Sequence, residues 1–208
     1  NAAGFDFSLY DADANGVMWF ATGGAGVTRY DPSAERKSGR KWEHFTTANG
    51  LLNNNVHTIY REPDGVVWFG GDGGVSRYDA SAERSGGKAW SWLNETNGLR
   101  LEVYAILREP SGVVWFGGWG SGGVGGLVRM EGTNFVRYGM RDGLAGDFVA
   151  AIHRDADGVL WFGGSGGVTR FDPSAERTGR PAFKVFGPKD GLTDEVTAIH
   201  RDAEGVLW

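Results

Sequence analysis

Short β-prone runs separated by turn-forming clusters fill this chain, and the arrangement repeats. In one unit the run Asn55-Val56-His57-Thr58-Ile59-Tyr60 gives way to Arg61-Glu62-Pro63-Asp64-Gly65, whose Asp-Gly pair predicts a hairpin. Val66-Val67-Trp68-Phe69 predicts a second strand, Gly70-Gly71-Asp72-Gly73-Gly74 a tight turn, and Val75-Ser76-Arg77-Tyr78 a third strand. A polar loop from Ala80 to Lys88 leads to a fourth, Ala89-Trp90-Ser91-Trp92-Leu93, and Asn97-Gly98-Leu99 passes the chain to the next unit. No unit holds an amphipathic 3.6-residue pattern of ten or more positions, which excludes helical repeats.

The frame returns five times as Gly-Val-x-Trp, ending at Trp19, Trp68, Trp115, Trp161 and Trp208, so successive tryptophans stand 49, 47, 46 and 47 residues apart. A period of that length built from four short antiparallel strands predicts a propeller blade. The expected fold is all-β: a β-propeller of four-stranded antiparallel blades, four complete blades plus the first two strands of a fifth. The blades are expected near 5–47, 53–95, 101–140 and 147–187, with a partial one at 194–208, in a single array. A lone four-stranded sheet cannot bury both apolar faces, so each blade must pack on its neighbours. The five tryptophans are the expected structural residues of those layers, each removing roughly 150–250 Å² from water. Gly16, Gly65, Gly112, Gly158 and Gly205, three residues before each tryptophan, suit a turn position with positive φ.

Composition narrows the function. With 40% hydrophobic and 23% charged residues the chain is of ordinary globular type, and its 36 glycines recur at fixed places in the repeat, marking turns. The net charge of -5 comes from interspersed acids and bases, which argues against nucleic-acid partners. No apolar run approaches the roughly 18–20 residues that span a bilayer, so no membrane insertion is expected from this chain. The absence of cysteine removes disulfides, thiolate catalysis and Cys-ligated zinc.

Asn49-Gly50-Leu51-Leu52-Asn53-Asn54-Asn55-Val56-His57-Thr58-Ile59, continuing to Asp64-Gly65-Val66-Val67-Trp68-Phe69-Gly70, resembles the two-component regulator propeller repeat. Asp142-Gly143-Leu144 through Trp161, and Asp190-Gly191-Leu192 through Trp208, repeat the frame. The resemblance implies the periplasmic sensor propellers of bacterial hybrid histidine kinases and related extracytoplasmic proteins, which often recognise oligosaccharides. It therefore implies a periplasmic or extracellular location and a noncatalytic ligand-recognition role. The half-blade at 194–208 leaves an open sheet edge. The expectation is a piece of a longer propeller, seven blades by family analogy, or a protomer that self-associates to complete a ring. A structural, protein-binding module is the alternative function.

In a propeller, the loops joining strand four to the next strand one, and strand two to strand three, emerge on one face around the channel. That face is the expected ligand site and would carry Asn53, Asn54, Asn55, Arg100, Glu102, Arg141, Asp147, Lys189, Asp194 and Glu195, mixed hydrogen-bonding groups suited to a small polar ligand or oligosaccharide. The competing reading is that they are solvated turn formers. Trp119, in the expanded turn Gly117 to Gly126, has no counterpart in the other units. Two readings stay open for it: a stacking platform on a glycine-rich loop, or a ring folded back onto a neighbouring blade. The outer loops at Asp31-Pro32-Ser33-Ala34-Glu35-Arg36, Asp79 to Arg84 and Asp172-Pro173-Ser174-Ala175-Glu176-Arg177 predict capped helical turns.

No catalytic residue, metal or cofactor is expected. Asp11-Ala12-Asp13-Ala14-Asn15-Gly16 and Asp155-Ala156-Asp157-Gly158 lack the ligand spacing of a calcium loop and read as hairpins. His153 and His200, each two residues before an aspartate, could pair for acid-base or metal chemistry, but equivalence by repetition is the simpler account.

Overall fold

The computed structural model describes residues 9–13, 15–33, 41–120 and 125–208. Ala34 to Arg36 of the first outer loop, Ala14, Ser121 to Val124 of the expanded turn, and the start of the first expected blade lie outside the described residues. Among the described residues sixteen strands form four antiparallel sheets, each taking its four strands in chain order. The first holds β1 (Leu9–Ala12), β2 (Met18–Thr22), β3 (Gly26–Tyr30) and β4 (Trp42–Phe45), and the second β5 (Val56–Arg61), β6 (Val67–Gly71), β7 (Gly74–Tyr78) and β8 (Trp90–Asn94). The third holds β9 (Glu102–Arg108), β10 (Val114–Trp119), β11 (Leu127–Glu131) and β12 (Asn134–Tyr138), and the fourth β13 (Val149–Arg154), β14 (Leu160–Gly164), β15 (Gly167–Phe171) and β16 (Phe183–Phe186). The chain divides into two units, 1–103 and 104–208.

Local chemistry accounts for the meander. In the Asp-Gly hairpin of the second sheet, Glu62 N donates to Val66 O at 2.8 Å, Gly65 N to Glu62 O at 3.0 Å, and Asp64 Oδ1 accepts from Val66 N at 3.1 Å. Gly65 sits at φ 92°, a conformation that side-chain-bearing residues rarely adopt. After β7 the short helix α1 (Ala80–Arg84) is capped by Asp79, and after β15 its counterpart α2 (Pro173–Arg177) is capped by Asp172. Each cap accepts two backbone N–H bonds.

The core of each unit is a seam between two sheets. In the first unit the Trp19 ring lies 5.0 Å from Phe69 and 5.3 Å from Tyr78 of the next sheet. In the second, Trp115 lies 5.4 Å from Phe162 and 5.5 Å from Phe171. The sheets approach closely where the second strand offers glycine. A Cβ on Gly117 would come within 2.7 Å of Val149 Cγ1, so any larger residue would push β13 away.

Trp19, Trp68 and Trp115 are buried, but the sealing layer expected around all five tryptophans does not extend to the last two. Trp161 is half-buried and Trp208 is 74% exposed, because no described sheet packs over them. The partial fifth blade is a loose hairpin: Arg201 bridges Leu207, and His200 and Trp208 exchange backbone hydrogen bonds of 3.0 and 2.7 Å.

Burial depth therefore separates equivalent residues. Trp115→Ala is expected to destabilise the fold by about 3–5 kcal/mol, and Trp208→Ala by less than about 1 kcal/mol. Urea midpoints of the two variants test this; equal losses would contradict the seam as the core.

Candidate functional site

The expected site residues of the first unit fall at the strand ends opposite the Asp-Gly hairpins, where loop chemistry already occupies them. Asn53 Oδ1 accepts from Asn55 N and Asn54 Oδ1 from Thr47 N, both at 2.8 Å. Asn55 Nδ2 donates to Asp72 Oδ2 at 3.0 Å, and His57 Nε2 stands 2.8 Å from the other oxygen of Asp72. Asn55 thus ties the loop before β5 to the turn after β6. Arg100 is ion-paired with Glu95, and Glu102 begins β9 exposed to solvent.

In the second unit, Arg141 and Asp147 line one recess of about 550 Å³ together with Arg137, Met140 and Asp142. A turn positions them: Met140 to Asp142 form one turn of 3-10 helix that ends on Gly143 at φ 114°, and Asp142 Oδ2 accepts from Gly139 N at 2.8 Å. Arg141 is exposed, and Met140 is 57% exposed. Trp119 is not on a free loop. It is the last residue of β10, bridged through its backbone to Phe148, with the two rings 5.3 Å apart. Phe148 meets Tyr104 edge-on at 5.1 Å, so Trp119 rests on an aromatic base and remains 50% exposed. Lys189 lies exposed in another 3-10 turn, and exposed Asp194 and Glu195 pair through their backbones with the turn after β14.

At the hairpin ends of the strands the structure brings together residues that were not singled out from the sequence. The carboxylate six positions before a tryptophan accepts its indole N–H: Glu62 from Trp68 at 2.6 Å, Glu109 from Trp115 at 2.7 Å, Asp155 from Trp161 at 2.8 Å and Asp202 from Trp208 at 2.7 Å. An arginine from the following repeat then reaches the carboxylate. Arg201 grips Asp155 with two bonds of 2.6 and 2.7 Å, while Arg154 stands 3.7 Å from Glu109 and Arg61 3.9 Å from Asp13. The signal was present as an acid at a constant offset in all five repeats: Asp13, Glu62, Glu109, Asp155 and Asp202. His153 Nε2 lies 3.2 Å from Asp155 and His200 is exposed, so each belongs to its own hairpin. Among the described residues no group of three or more His, Asp or Glu could hold a metal ion.

Two segments, residues 50–73 and 143–166, match the family described as two component regulator propeller. In these two segments the chain is similar to two-component regulator propeller repeats. No curated protein matches the sequence. Among solved structures, the chain is similar to the extracellular domain of BT3049 from B. thetaiotaomicron, named for a hybrid two component system, at 22% identity and a TM-score of 0.73 over 98% of this chain and 26% of that one. It is similar to the extracellular domain of BT4673 from the same organism, named for a one component system, at 20% identity and a TM-score of 0.70 over 100% of this chain and 28% of that one. An ancestral GH74 enzyme is also similar, at 16% identity and a TM-score of 0.66 over 98% of this chain and 27% of that one. The chain spans about a quarter of the length of each. These similarities establish β-propeller architecture for the repeats, a scaffold that serves sensors and enzymes alike.

Burial alone would raise the Asp155 carboxyl, but hydrogen bonds from Arg201 and Trp161 and the charges of Arg201 and His153 outweigh it and hold it below the usual carboxylate range. Asp155→Ala is expected to cost about 2–3 kcal/mol at neutral pH. A depressed folded value makes this stabilisation present above the unfolded carboxylate pKa of about 3.9 and lost as pH falls through the folded value. The denaturation gap between wild type and variant should therefore narrow between neutral pH and about pH 3; a gap of constant size would contradict the linkage.

Proposed function

We propose that this chain is a noncatalytic ligand-recognition segment of an extracytoplasmic sensor propeller, reading a polar ligand of the oligosaccharide class at the strand ends opposite the Asp-Gly hairpins. The observation that carries the reading is Trp119. It stands where the second and fourth repeats carry Asp72 and Ser165, its ring is seated on Phe148, and half of its surface is free. An indole fixed from below and open above suits the apolar face of a sugar ring. Arg141 and Asp147 line a recess formed by the same two sheets, Asp147 directly preceding Phe148, and would hydrogen-bond the ligand's hydroxyls. The matched repeats and the extracellular sensor structures supply the biological setting. On this reading the protein works outside the cytoplasm, and its domain is one array of blades at the boundaries expected from the sequence.

A second reading, a module that completes its array by self-association, is favoured by one observation. Trp42 is 56% exposed and stacks on Tyr30 at 4.6 Å, at the position where the equivalent Tyr78 and Trp90 of the second sheet pack against Trp19 and Phe45 of the first. Sedimentation of wild type and Trp42→Ser tests it: association lost in the variant supports this reading, and a concentration-independent monomer rejects it.

For the sensor reading, calorimetric titration with a glycan panel is expected to find a carbohydrate whose affinity falls about tenfold in Trp119→Ala while the unfolding midpoint stays unchanged. Failure of every glycan to bind, or binding indifferent to Trp119→Ala, would overturn it.

A further inference from the structure

At the hairpin ends of the strands, the seam between the first and second sheets opens into a recess of about 710 Å³, within the range of small-molecule sites. The corresponding recess between the third and fourth sheets is about 370 Å³. Much of the lining is equivalent, with Arg61, Asp64 and Arg84 matching Arg154, Asp157 and Arg177. The two seams differ in what surrounds one β-strand arginine and in which tyrosine meets the helix glutamate. In the smaller seam, Arg129 pairs across the sheet with Val136, which offers no charge, and stands 3.6 Å from Glu176 of α2 on the next sheet. Tyr138 also donates to Glu176, at 3.4 Å, so α2 straps the seam shut over Trp115. In the larger seam the equivalent Arg29 lies opposite Glu43, which takes its guanidinium at 2.9 Å, and Asp31 takes the rest at 2.8 Å. Glu83 of α1 instead meets Tyr78 of its own sheet. No strap forms, and Arg29, Trp19 and Tyr78 line the opening where Arg129, Trp115 and Phe171 do not.

We infer that this unstrapped seam is a second binding site, taking a small neutral polyhydroxylated ligand such as a disaccharide. The charges on its wall select the class. Arg29, Arg61 and Arg84 repel a cation, while four aspartates repel an anion. Two of these carboxylates are largely spent. The hydroxyl and backbone N–H of Ser33 hold Asp31, and those of Ser81, with the Ala82 N–H, hold Asp79. Asp64, whose Oδ1 accepts from Val66 N, and Arg84 both belong to this near-balanced wall. A group that both donates and accepts satisfies that wall, and a hydroxyl does so without carrying charge. Planar carboxylate and guanidinium ends engage adjacent hydroxyls two at a time.

The test is calorimetric titration of the full chain with sucrose, maltose and cellobiose, with glucuronate and glucosamine as charged comparators. At least one neutral disaccharide is expected to bind. Asp64→Asn and Arg84→Ala should each weaken it about tenfold. Glu43→Val, outside the recess, should weaken it too by releasing Arg29 to strap the seam through Glu83. Trp119→Ala should leave it unchanged, which separates this site from the one proposed at the other strand ends. Absence of neutral binding, tighter binding of either charged comparator, or binding that responds to Trp119→Ala and not to the recess variants would overturn the inference.

Discussion

A tryptophan buried between two sheets contributes more apolar area than any other side chain, but its indole N–H has to be satisfied in the same place. Here the hairpin supplies the acceptor, from a carboxylate six residues upstream. The bond forms even at Trp208, which is mostly solvent-exposed, so it belongs to the local hairpin and precedes packing. Packing then recruits the carboxylate a second time, as the anchor for an arginine of the following repeat. Turn, seam and ion pair are thereby one device. Asp13 varies it: its Oδ1 accepts from the backbone of Asn15 and Val17.

Much of this was legible before any coordinates. Strand order, hairpins and capped outer turns follow from local chemistry, because Asp-Gly pairs and Asp-Pro-Ser starts act within a few residues. The candidate site was less legible. Asn53, Asn54 and Asn55 look identical on paper, yet their amides bind Asn55 N, Thr47 N and Asp72, partners set by how loops meet. For Trp119 the surrounding glycines leave a loop platform and a ring folded onto a neighbouring blade both open; a backbone bridge to Phe148 extends the strand to include it and sets its ring on that of Phe148. Trp208 shares the motif of Trp115 but not its neighbours, and burial is a property of neighbours.

Near-identical repeats place their individuality in a few substitutions. At one end of the strands the third repeat carries an indole; at the other, the residue opposite a β-strand arginine is Glu43 in the first sheet and Val136 in the third, and only Arg129 of the two is seen beside a helix glutamate among the described residues. On the proposed reading, ligand contacts fall on loop ends that can vary while the core remains fixed.

The arginine-to-carboxylate contacts run in one direction, from each repeat back to its predecessor, at Arg61, Arg154 and Arg201 alike. At these three boundaries one repeat thus presents the plug and its predecessor the socket. Duplicating or deleting a whole period would rejoin matching surfaces with no new chemistry required, whereas cutting within a period would strand a guanidinium from its acid. Arrays wired this way can change length in evolution by whole modules, while the third repeat combines a longer turn at Gly117 to Gly126 with a shorter outer loop at Glu131 to Asn134 and keeps its period at 46 residues.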